Sequence, residues 1–91
     1  MLQKHSENYL KTYTINMKLL RHELTLVSES APKGSHKKVA KKLGYSEQYI
    51  GQIRKGTNLT NDTPENRKLI QDCINEYRKL INKEIQKLSK L

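Results

Sequence analysis

The side chains best suited to chemistry in this chain lie between positions 33 and 55. Lys33, Lys37, Lys38, Lys41, Lys42, Arg54 and Lys55 stand there against one acid, Glu47, so this quarter of the chain carries +6 of the net +9. Neutral hydrogen-bonding groups are interspersed with them: Ser35, His36, Gln48, Tyr49 and Gln52. Ammonium and guanidinium groups capture polyanions, and amides donate and accept at once, so the set suits binding to a charged polymer. It does not suit catalysis. His5, His22 and His36 are not at metal-ligand spacing, Cys73 has no second cysteine, and there is no Gly-rich phosphate turn. A chain of 91 residues also leaves little volume for a substrate pocket. The expectation is a non-enzyme with no cofactor, no metal and no small-molecule substrate.

Composition bounds the rest. An isoelectric point near 9.8 favours nucleic acid as partner, with an anionic membrane surface second. Hydrophobic content is 34%, aromatics are five Tyr with no Trp or Phe, and only two Pro and four Gly occur. No strand-length run alternates, so the expected fold is all-α, a single small helical domain spanning residues 1–91. The lone Cys73 fits a reducing cytoplasm and reads as a small core hydrophobe. The first 15 residues are polar and no apolar run approaches membrane-spanning length, so neither a signal peptide nor a membrane partner is expected.

Four helices would position the basic stretch. Residues 7–29 form an amphipathic helix with a seam of Leu10, Tyr13, Met17, Leu20, Leu24 and Val27, widened by Ile15, Leu19 and Leu26. Ser6 could cap it and Glu7 favours its positive end. The loop 30–35 contains Pro32 and Gly34, and Ser35 would cap a short helix over 36–43. Gly44 stops that helix, and Ser46 caps a second over 47–54, closed by Gly56. Thr63, Pro64 and Glu65 start a last helix over 64–89. Its apolar face is Leu69, Ile70, Cys73, Ile74, Tyr77, Leu80, Ile81, Ile85 and Leu88, with surface pairs Glu76–Lys79 and Glu84–Lys87. Its far end, Ile81 to Leu91, is the candidate homodimer contact. Gly51 costs its helix about 1 kcal/mol relative to Ala, which asks for a compensating close approach of DNA or another helix.

Val39, Ala40, Leu43, Gly44, Tyr45, Ile50 and Ile53 fall where two short helices crossing at a tight turn need packing residues. The segment V-A-x-x-L-G-Y-S-x-x-Y-I-x-x-I-x-x-G resembles the phage repressor and Cro, or Xre-like, helix-turn-helix family over residues 35–56. Tyr45 replaces the family's usual Val, Ile or Thr, and the last helix is one long rod rather than two short ones. The resemblance implies a sequence-specific DNA-binding regulator of phage or mobile-element type, with helix 47–54 in the major groove. It implies base contacts from Glu47, Gln48, Tyr49 and Gln52. It implies phosphate contacts from Ser35, His36, Lys37, Lys38, Lys41, Lys42, Arg54, Lys55, Thr57 and Asn58, with Lys33 in support. Tyr49 could instead pack on the neighbouring loop, and Glu47 could serve only the helix dipole. Two other functions stay open: a protein-interaction adaptor or antitoxin-like partner, and a non-specific architectural nucleic-acid binder.

Overall fold

The computed structural model of the protein describes residues 17–59 and 61–89. Among these the chain is all-α. Helix α1 covers 17–30, α2 Ser35–Leu43, α3 Glu47–Lys55 and α4 Pro64–Ser89. Ser6, Glu7, Leu10, Tyr13 and Ile15, expected in the first half of α1, lie outside the described residues, as does Leu91.

The boundaries follow from identifiable groups. Ser46 and Thr63 cap α3 and α4 through their hydroxyl oxygens, which accept from Tyr49 N–H and Asn66 N–H, each at 3.1 Å. Gly44 ends α2 in the left-handed conformation at φ 80°, which a Cβ would penalise. Its N–H and that of Tyr45 return to the carbonyls of Lys41 and Ala40 at 3.4 and 2.9 Å, the Schellman closure. Gly56 closes α3 in the same way.

The start of α2 differs from expectation. Gly34, at φ 86°, occupies the cap position, and Ser35 is already inside the helix. The left-handed glycine folds the chain back so that both the N–H and the hydroxyl of Ser35 donate to Pro32 O, at 3.1 and 2.5 Å. Ser35 is buried there.

The core forms where the four helices meet. Leu24 of α1, Val39 and Ala40 of α2, Ile50 and Ile53 of α3, and Ile70, Cys73, Ile74 and Tyr77 of α4 are buried together, with Met17 at the edge. Each fully buried Leu or Ile contributes ~1.5–3 kcal/mol over an exposed one. Leu20, Val27, Leu43, Leu59, Leu69 and Leu80 pack around this centre. Leu19 and Leu26 do not widen the seam; they are 55% and 50% exposed, on the face of α1 that also carries Glu23 rather than the face that carries Leu24 into the core. On α4 the buried face ends at Tyr77, and Ile85 and Leu88 are exposed. Glu76 pairs with Lys79 at 3.0 Å. Glu84 and Lys87, exposed on the same helix, form no pair among the described residues. Arg78 of α4 ties to Glu23 of α1 instead.

Candidate functional site

Burial of Ile50 and Ile53 fixes the rotation of α3, and so decides which of its side chains face outward. Gln48, Gly51, Gln52 and Lys55 follow at spacings of three and four and share the opposite face. Glu47 and Gln48 are exposed at the capped first turn, where backbone N–H groups and the positive dipole end also lie. Gln52 is half-buried, and its Oε1 accepts from Asn58 Nδ2 at 3.0 Å. Tyr49 is half-buried too. Its ring packs on the core and against Tyr45, with centroids 5.0 Å apart and planes tilted by 39°. Tyr45 and Tyr49 thus form an aromatic pair across the turn.

His36 is held from behind. Its Nδ1 lies 2.7 Å from the hydroxyl of Tyr77, the rings meeting edge to face. Tyr77 is fully buried, and burial pushes its hydroxyl up to about 12, so it keeps its proton. His36 is its one hydrogen-bond partner among the described residues. A buried hydroxyl without an acceptor is costly, so Tyr77 donates and Nδ1 accepts. The neutral ring therefore carries its proton on Nε2, free of Tyr77 and available as a donor. Burial first, and Arg54 second, lower the His36 pKa below 6.5, against an opposing pull from Glu47. Both burial and Arg54 favour the neutral imidazole.

The expected phosphate partners fall into two groups. Lys33, Lys37, Lys41 and Lys55 are exposed. Arg54 is half-buried beside His36 and Tyr77, with Nε enclosed and lacking a hydrogen-bond partner among the described residues. Thr57 is exposed and hydrogen-bonds back to Gln52 O at 3.2 Å. Both donors of Ser35 are spent on Pro32 O. Lys38 and Lys42, one turn apart, line a groove of about 520 Å³ between α2 and α4 together with Lys79, Lys83, Asn82, Gln86 and the acid Glu76, and with Val39 and Leu80 as its apolar lining. The lysines of α2 thus divide between two surfaces.

No family model, curated protein or solved structure matches this chain.

Four contributing side chains were not anticipated from sequence. Tyr77 braces His36; a Tyr on an otherwise apolar helix face, whose hydroxyl must find a partner, was the available signal. Arg21 reaches from α1 to the carbonyls of Asn58 and Leu59, at 2.8 Å for Asn58, and holds the loop after α3. Leu59 sits there at φ 55°, a conformation that costs an ordinary side chain about 1 kcal/mol or more. Lys79 and Lys83 face α2 across the groove, which only the packing of α4 on α2 could reveal. Among the described residues no group of three His, Cys, Asp or Glu is placed to hold a metal, and no helix is long and apolar enough to cross a membrane.

Proposed function

We propose that this protein binds double-stranded DNA sequence-specifically, with α2 and α3 acting as a helix-turn-helix and α3 entering the major groove. The carrying observation is the outward face of α3: Gln48 exposed at the capped first turn beside a half-buried Gln52, while Ile50 and Ile53 of the same nine-residue helix are buried. Amides so placed can meet base edges, while Lys37, Lys41 and Lys55 neutralise phosphates on either side. Neutral His36 offers Nε2–H to a phosphate. Acting by operator occupancy, such a protein regulates transcription without catalysis, and its resemblance is to the phage or mobile-element type.

Selection of bound duplexes from a random pool tests the reading. A single enriched motif, bound at least a thousandfold more tightly than random duplex, is the expected result. Uniform retention of all sequences would instead favour an architectural binder.

One helix-turn-helix reads few base pairs, and a homodimer would place two such helices about 34 Å apart. Ile85 and Leu88, 57% and 61% exposed, are the proposed contact, and light scattering across micromolar concentrations reports the mass. A second reading, an interaction module, draws on the four-lysine groove between α2 and α4. A partner retained after DNA binding is lost in a variant with Lys37, Lys41 and Lys55 all replaced by Ala would favour it.

A further inference from the structure

Gln52 and Asn58 hold each other in one orientation, and a backbone hydrogen fixes which one. The N–H of Leu59 can only donate, and it donates to Asn58 Oδ1 at 3.3 Å. Asn58 therefore turns its Nδ2 toward Gln52, which must answer with its acceptor: the Nδ2 to Oε1 distance is 3.0 Å. The remaining end of the Gln52 amide is Nε2, whose two hydrogens have no partner among the described residues.

The loop carrying Asn58 is pinned from three directions. Arg21 Nη2 donates to the carbonyls of Asn58 and Leu59. Both the N–H and the hydroxyl of Thr57 donate to Gln52 O, at 3.0 and 3.2 Å. Leu59 is seated against the core.

A free glutamine pairs with adenine by donating to N7 and accepting from N6–H. A glutamine whose oxygen already accepts from its own protein keeps one oxygen lone pair but presents both Nε2 hydrogens at its far end. Guanine presents two adjacent acceptors, N7 and O6; adenine sets a donor beside N7, and cytosine presents a donor. We infer that Asn58 fixes Gln52 with its Nε2 hydrogens turned away from the loop and one oxygen lone pair already occupied, so that Gln52 reads its base pair mainly as a donor and prefers a guanine edge to an adenine edge. This rests on the DNA-binding reading above. Asn58 is the positioning residue and Gln52 the contacting one.

Pool selection with the full chain and three variants tests the inference. In the wild type, one motif position is expected to be guanine, and Gln52→Ala should leave that position alone degenerate. Gln52→Glu keeps the bond from Asn58 but presents an oxygen outward, so the position should change to adenine or cytosine. Asn58→Asp keeps the Leu59 N–H bond but needs a donor from Gln52, which turns the amide over and should produce the same change. The expected shift in preference is on the order of tenfold, with the other positions unaltered. Circular dichroism checks that each variant folds, and Gln52→Glu leaves the loop intact if Asn58→Asp does not. Adenine at the wild-type position, or guanine persisting in Gln52→Glu, would overturn the inference while an enriched motif upheld DNA recognition. A pool without any enriched motif would overturn both.

Discussion

Gly51→Ala should make the protein more stable and its DNA complex weaker. Gly51 occupies the middle of α3, on the face shared with Gln48, Gln52 and Lys55. Its backbone is not in the left-handed region, and a Cβ built there meets nothing within 4 Å among the described residues. No close approach of another described helix therefore accounts for the glycine. Alanine removes its helix-propensity cost of about 0.8–1.0 kcal/mol, partly by restricting the unfolded chain. For a domain of this size that corresponds to a rise in Tm of roughly 4–8 °C. Urea unfolding followed by circular dichroism, run beside a thermal scan, measures both. If the glycine instead admits the DNA backbone or a base edge, the added methyl should lower affinity for the selected duplex while raising the unfolding midpoint. An unchanged or lowered midpoint would refute the packing argument. A higher midpoint with unchanged affinity would leave the glycine without a role in recognition.

Stability should fall as pH falls below about 6.5, because the unfolded chain takes up a proton at His36 that the folded chain, with its lowered pKa, refuses until lower pH. His36→Gln should flatten that part of the profile, read by urea unfolding between neutral and mildly acid pH. Cys73 is fully buried and its thiol is pushed up to about 11, so a thiol reagent at pH 8 should label the native protein only through opening, with a rate that rises steeply in denaturant. Arg21→Ala removes two hydrogen bonds to the loop after α3 and should cost ~1–3 kcal/mol, with faster amide exchange confined to residues near Leu59. Lys37→Ala should weaken specific and random duplexes alike and reduce the salt slope by about one, whereas Gln48→Ala should relax the base preference; equal losses on both duplexes for both variants would contradict the division of roles.

Much of this architecture is legible in local sequence. Ser46, Thr63, Gly44 and Gly56 act where their types require, because caps and left-handed closures depend only on neighbouring backbone groups. Periodicity found the buried faces of α2, α3 and the first half of α4 for the same reason. What stayed hidden was set by packing between distant elements. Leu19 and Leu26 differ from Leu20 and Leu24 only by the rotation of α1 against the core. The Tyr77–His36 bond joins residues 41 apart in the chain, and Arg21 crosses 37 residues to Asn58. Lys38 and Lys37 look alike in sequence, yet Lys38 lines the groove against α4. The Ser35 misassignment had a local cause: Gly34 and Ser35 are both good cap residues, and the glycine's left-handed turn gave it the position.

Backbone amide shifts of the full chain, titrated with the duplex that selection enriches, test the proposed interface most directly. The expected perturbations lie at His36 and Lys37, and from Ser46 through Asn58 at the outward positions of α3 and the loop behind it. Perturbations confined to the groove lined by Lys79, Lys83 and Gln86, or no saturable change at all, would contradict recognition through α3.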